Sequence, residues 1–223
     1  MVVMSSYINS LFILFRKHYA ENWHKYLGAA LMAIVMPLVF AYITDDATAA
    51  VTSGSRLILV FIAYVIYISI RELRARYTYI MATSLPVTAA ERYGFILLNS
   101  TVVLLLWYVV CMLVAVKLAL MLIPVNEDFA WVLQQKHLVA NFNYIMGVAG
   151  THAGLLVVNL VPTKRLIVNY FVAFVAVVAY QWLLSEYVDA VDRECFKLWS
   201  NIVVTIVLWT AGYFLVRKYQ YKG

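Results

Sequence analysis

Long apolar stretches without a charged residue recur along the chain, separated by short segments where Lys, Arg, Asp and Glu collect. With His counted as neutral, charge-free runs cover 26–44, 93–116, 137–163, 166–185 and 198–216. A helix needs about 20 mostly apolar residues to cross the hydrocarbon core of a bilayer. A sixth run, 57–70, is shorter and reaches that length if Arg56 snorkels to the interface and 47–55 contribute. The pattern predicts an all-α polytopic membrane protein, one transmembrane domain over 1–223. Its six transmembrane helices lie at about 26–44, 52–70, 93–116, 142–162, 166–185 and 198–216.

Ahead of the first span, 5–25 has a different pattern. On a helical wheel Ile8, Leu11, Phe12, Phe15, Tyr19, Trp23 and Tyr26 share one arc, and Ser10, Lys17, Glu21, His24 and Lys25 lie opposite. This predicts an N-terminal amphipathic helix in the membrane interface, with aromatics at headgroup depth. Ile13 and Leu14 interrupt the polar arc, as a covering partner would explain. The first apolar stretch, 7–15, is short and leads into charge rather than a small-residue cleavage site, so no secretory signal is expected.

Charge assigns the sides. With the N-terminus inside, Arg16, Lys17, Lys25, Arg71, Arg74, Arg76, Arg92, Lys164, Arg165, Arg217, Lys218 and Lys222 fall inside, 12 of the 17 basic residues. Arg56, Lys117, Lys136, Arg193 and Lys197 fall outside. Acidic residues reverse the bias, with Glu21, Glu72 and Glu91 inside and the other eight outside. Positive residues are retained on the cytoplasmic side, and an even number of spans places both ends there. The expected state is N-in/C-in in a bacterial inner membrane. The longest inside loop, 71–93, carries three arginines, then Pro86 and the capping-box sequence Thr88-Ala-Ala-Glu91. It predicts a turn and a fresh helix start.

Composition narrows the classes further. The chain is 65% apolar and 13% charged, with a mean hydropathy of +0.85, against roughly 45–50% and 25% in soluble domains. The net charge of +6 belongs to the loops beside apolar runs, not to a basic patch that could dock a duplex, so nucleic acid is not an expected partner. Cys111 and Cys195 are distant and lack metal-ligand spacing. No Walker-type phosphate loop, HExxH or GxSxG occurs, and no predicted span contains Asp or Glu.

Within the spans the candidate polar residues are His152, Asn99, Ser100, Thr101, Thr151, Asn159, Asn169, Gln181 and Thr205. His152 reads first as an imidazole bonded to a neighbouring helix; an intramembrane enzyme would need it to be catalytic. The others read mainly as interhelical glue. Gly147, Gly150 and Gly154 permit close backbone approach, either within one subunit or at a dimer seam. Pro37 removes one helix hydrogen bond and predicts a kink.

The segment Leu85-Pro86-Val87-Thr88-Ala89-Ala90-Glu91-Arg92-Tyr93, between the second and third spans and behind an N-terminal amphipathic helix, resembles the coupling loop of bacterial ATP-binding-cassette exporters. The layout is similar to their type-2 permease subunits across the whole chain. The resemblance implies a transport subunit that is not itself an enzyme and holds no cofactor, with ATP and Mg bound by a partner ATPase. It also implies a second permease copy or paralogue, and contact with membrane lipid. The implied ATPase-coupling residues are Leu85, Pro86, Val87, Thr88, Glu91, Arg92, Arg74 and Arg76, with Lys17 and Glu21 of the N-terminal helix. The arginines read equally as topology anchors against anionic lipid. The short polar segment 185–197 departs from the re-entrant half-helices common in that family. The alternative reading is a membrane scaffold or assembly factor whose cytoplasmic loop binds a partner.

Overall fold

A computed structural model describes residues 2–74, 87–124, 138–161, 166–187 and 193–220, and among these every regular element is helical. The helices are α1 (Val2–Thr44), α2 (Thr48–Arg74), α3 (Ala89–Leu98), α4 (Leu104–Leu122), α5 (Leu138–Leu160), α6 (Leu166–Tyr187) and α7 (Arg193–Gln220). A π-helical turn, Asn99–Val103, joins α3 to α4. Four helical stretches are long and apolar enough to cross a membrane: Tyr7–Thr44, Thr48–Arg71, Ala89–Leu122 and Cys195–Lys218. Tyr144–Leu160 and Ile167–Tyr180 are shorter apolar helices.

The sequence pattern separates an interfacial helix, 5–25, from a span starting at Tyr26, and lying along a bilayer then crossing it requires a bend between them. The helix instead runs unbroken for 43 residues, about 65 Å at 1.5 Å per residue. Its charged stretch consists of good helix formers such as Arg16, Lys17, Ala20, Glu21 and Lys25, so nothing local stops it. The buried face overlaps the aromatic arc at Tyr26. Leu14, His18, Asn22 and Tyr26, at i, i+4, i+8 and i+12, are buried, while Phe12 and Trp23 are 69% and 61% exposed. Leu14, which interrupts the expected polar arc, is thus covered by the chain itself. Pro37 sits inside α1 with its ring fully buried.

The chain forms two compact units, 1–69 with 94–136 and 70–93 with 137–223. In the first, α1 ends where Asp45 takes a left-handed φ of 52°. The Asp46 carboxylate then caps α2, accepting from the Thr48 amide at 3.0 Å and the Thr48 hydroxyl at 2.5 Å. The Ala47 amide donates to the Pro124 carbonyl at 3.0 Å, tying this turn to the end of α4. Ala41, Ala47, Ala50 and Ala119 pack there without exposed surface, small side chains that let backbones approach closely. Toward the start of α1, Phe15 packs edge-on against Phe95 at 4.9 Å. So α1 runs parallel to α3–α4. The Tyr108 hydroxyl donates to the Gly54 carbonyl at 2.6 Å and Asn99 reaches Ser69, so α2 runs antiparallel to α3–α4.

The second unit repeats the alternation. The Asn159 amide donates to the Tyr170 hydroxyl at 2.8 Å and the Asn169 amide to the Val158 carbonyl at 3.0 Å, pairing α5 with α6 in opposite directions. Tyr180 bonds Ser200, which turns the chain again into α7. There α5 and α7 run parallel, with Gly150 against Thr205 and Leu156 against Gly212.

Closest approach in this unit falls at Gly212, where a Cβ would lie 2.7 Å from Leu156 Cδ2 and 3.0 Å from the Tyr93 hydroxyl. Gly54 also meets a neighbour, but only the flexible end of Met112. Gly212→Val is therefore expected to destabilise the protein by about 1–3 kcal/mol through overpacking. Gly54→Ala is expected to stay within about 1 kcal/mol of wild type, its helix propensity gain offsetting the shift of Met112. Unfolding in mixed detergent micelles measures both.

Candidate functional site

The densest buried polar cluster among the described residues gathers around Asn99, at the first residue of the π turn. Asn99 is 1% exposed. Its side-chain amide donates both protons, to the Tyr26 hydroxyl and to the Ser69 hydroxyl, each at 2.9 Å. Its carbonyl oxygen accepts from the Tyr19 hydroxyl at 2.7 Å. Ser69 passes its own proton to the Val65 carbonyl at 2.8 Å. Tyr26 accepts from Asn99, so its proton points to His18 Nε2, 2.8 Å away. That assignment makes His18 a neutral imidazole carrying its proton on Nδ1. Phe95 and Tyr26 flank the ring edge-on, at 5.2 and 5.7 Å.

Local structure explains the convergence. His18, Asn22 and Tyr26 recur at helical spacing on one face of α1, and the Asn22 amide holds the His18 carbonyl at 3.0 Å while accepting from Lys25. Ser69 arrives from the last turns of α2. Within the π turn the Leu104 amide reaches back five residues to the Asn99 carbonyl. One residue is thereby added without breaking the helix, a device found often at functional sites. Beside the cluster lies a cavity of about 170 Å³, lined by Tyr19, Tyr26, Asn99, Val103, Leu104 and Trp107. The hydroxyl and amide protons of the cluster are committed to bonds within it, so this arrangement fixes three helices at one level rather than presenting a nucleophile.

A smaller cluster occupies the second unit. The Trp209 indole donates to His152 Nδ1 at 3.1 Å, which puts the ring proton of neutral His152 on Nε2. The Tyr93 hydroxyl donates to the Trp209 carbonyl. His152 thus lies against a neighbouring helix, 3% exposed.

The expected coupling residues fall unevenly. Leu85, Pro86 and Arg76 lie outside the described residues, as does the Arg74 side chain. The capping box forms as the sequence predicts: the Glu91 amide donates to Thr88 Oγ1 at 3.2 Å, and Glu91 Oε2 accepts from the Thr88 amide at 2.6 Å and its hydroxyl at 2.9 Å. Glu91 and Arg92 are buried, Val87 and Lys17 half-buried, and Thr88 and Glu21 exposed. The charges expected to face a partner are therefore covered at Glu91 and Arg92 in this conformation. Of the three glycines, Gly150 packs on Thr205 of α7 at 3.4 Å, whereas no described atom lies within 4 Å of a Cβ built on Gly147 or Gly154. Cys111 is buried and Cys195 exposed. No group of three His, Cys, Asp or Glu able to hold a metal occurs among the described residues.

Sequence reasoning places Asn99 among many polar span residues and misses its partners Tyr19, Tyr26 and Ser69, and His18 behind Tyr26. The available signal is the four-residue spacing Leu14, His18, Asn22, Tyr26, a polar stripe running into an apolar helix. No protein-family model, curated protein or solved structure matches the chain.

Interhelical hydrogen bonds in apolar surroundings average about 0.6 kcal/mol each. Asn99→Ala, which removes three, is expected to lose about 2 kcal/mol in micellar unfolding. Thr101→Val, whose hydroxyl returns only to the Leu97 carbonyl of its own helix, is expected to stay within about 0.5 kcal/mol.

Proposed function

We propose that the chain is the permease subunit of an ATP-driven transporter of the exporter kind, coupled through its 71–93 loop to a separate ATPase. The observation that carries this reading is the start of α3. Thr88 and Glu91 close a capping box, and from Ala89 the helix continues through the π turn to Leu122. A load applied at Val87 and Thr88 thus enters a helix joined without a break to the Asn99 cluster. The resemblance of Leu85–Tyr93 to a coupling loop supplies the partner class.

In the same reading six helices cross a bacterial inner membrane with both ends in the cytoplasm. The alternating directions within each unit fit that course: the acidic turn at Asp45 and Asp46 and the end of α4 at Pro124 sit together, at the side the charge bias assigns to the exterior. At 43 residues α1 is too long to be contained in a ~30 Å core, and its N-terminal half extends on the cytoplasmic side with Lys17 and Glu21. Two permease subunits, copies or paralogues, pair over two ATPases that bind ATP and Mg, and the arginines of the 71–93 loop face anionic lipid or the ATPase.

Purification from the native host in mild detergent is expected to bring an ATP-binding subunit in a one-to-one ratio. Pro86→Ala is expected to uncouple ATP hydrolysis from transport while leaving the spans folded. A complex that hydrolyses no ATP, or normal coupling in the variant, contradicts the proposal. Cysteines placed at Asp128 and Glu186 are expected to label from the side opposite a cysteine at Arg74.

A further inference from the structure

Two registers meet at the π turn. Upstream, the position of α3 is fixed by a polar group: Asn99 is bonded to Tyr19 and Tyr26 of α1 and to Ser69 of α2. Downstream, the position of α4 is fixed by an apolar stripe. Leu104, Tyr108, Cys111, Ala115 and Ala119, at helical spacing, are its buried residues. A continuous α-helix turns about 100° per residue, so both faces can point inward together only if the helix absorbs one additional residue between them. The turn Asn99–Val103 is where that residue is held.

The two registers differ in what it costs to give them up. Asn99 leaves amide hydrogens without partners in apolar surroundings if its bonds are lost. From Leu104 to Val116 the exposed face of α4 is as apolar as the buried one, with Leu105, Leu106, Val109, Val110, Leu113 and Val114 outermost, and Lys117 adds one exposed charge beyond them. Turning α4 exchanges one set of apolar side chains for another over this stretch and releases the bond from Tyr108 to the Gly54 carbonyl. Space for the exchange exists beside the turn, in the cavity lined by Val103, Leu104 and Trp107.

We propose that the π turn at Asn99 is a register coupler, which converts movement of α1 relative to α3 into rotation of α4 by one residue about its axis. While Tyr19 and Tyr26 hold Asn99, the additional residue stays in the turn. When α1 moves away, the turn closes to α-helix and Leu104–Leu122 rotates by about 100°. The device depends only on the packing inside the first unit and goes beyond the transport reading, so that reading can fail while the coupler stands.

The test reads the rotational phase of α4 directly. In a Cys111→Ala, Cys195→Ser background reconstituted into liposomes, a nitroxide is placed at each position from 105 to 114 in turn, and its accessibility to oxygen is measured. In the parent protein the maxima are expected at 105, 106, 109, 110, 113 and 114. Asn99→Leu is expected to shift the phase by about 100°, and deletion of Thr101 in the Asn99→Leu chain to restore it. A merely weakened polar cluster would not be rescued by a deletion. An unchanged phase in Asn99→Leu overturns the proposal, as does a shifted phase that the deletion leaves in place. Should Asn99→Leu not fold, deletion of Thr101 with Asn99 retained decides. The coupler predicts that the phase stays where it is, because the helix then satisfies both registers without a π turn. A rotation of about 100° overturns it.

Discussion

An amide buried among apolar side chains has no water to turn to, and Asn99 meets that constraint by drawing its partners from other helices. Its two donors and its acceptor reach Tyr26, Ser69 and Tyr19, residues whose positions on α1 and α2 are set by the whole length of those helices. The rest of the first unit is arranged around that requirement. His18 receives the proton of Tyr26, Asn22 and Lys25 brace the turn of α1 that carries His18, and the π turn lets α4 keep its apolar stripe inward. Dispersion and small-residue packing hold the far end, where Ala41, Ala47, Ala50 and Ala119 meet. Those contacts alone specify rotation weakly, because from Leu104 to Val116 both faces of α4 are apolar.

Much of the architecture was legible because charge-free length is a coarse signal that survives local irregularity. The run at 57–70 is too short alone, yet the helix extends to Thr48–Arg74 because the mostly small residues from Thr48 to Ser55 join it, capped by Asp46. Thr88 and Glu91 were readable as a capping box because both partners lie within one turn and no distant contact is needed. The wheel set the aromatic arc of α1 against the membrane, and Phe12 and Trp23 of that arc face outward. It left the protein-facing side unread, because His18 and Asn22 turn inward to the Tyr26 hydroxyl and the His18 carbonyl, partners that apolar periodicity does not weigh. Nor could spacing foretell the π turn, since it reconciles contacts made by residues up to 80 positions apart.

The two units share a design, each with three alternating helical directions and one buried polar cluster, around Asn99 in the first and around His152 and Trp209 in the second. They differ in how tightly the clusters bind their helices together. In the first, one amide ties three elements. In the second, His152 and Trp209 tie α5 to α7 while Gly212 brings the backbones close. The chain passes between the units inside α2, after Ser69, and inside α3, after Tyr93. Ser69 is therefore both the last residue of one unit and a ligand of Asn99. Under the transport proposal, this is where a load on the cytoplasmic loop would reach the bundle.

The central physical claim is that Asn99 and Tyr26 stabilise the protein jointly rather than separately. A double-mutant cycle of Tyr26→Phe and Asn99→Ala, read by unfolding in mixed micelles, isolates that joint contribution. The expected coupling is about 0.6 kcal/mol or more, the typical worth of an interhelical hydrogen bond in apolar surroundings. Strictly additive losses would mean that the two side chains do not hold each other, and the polar lock on the bundle would be gone.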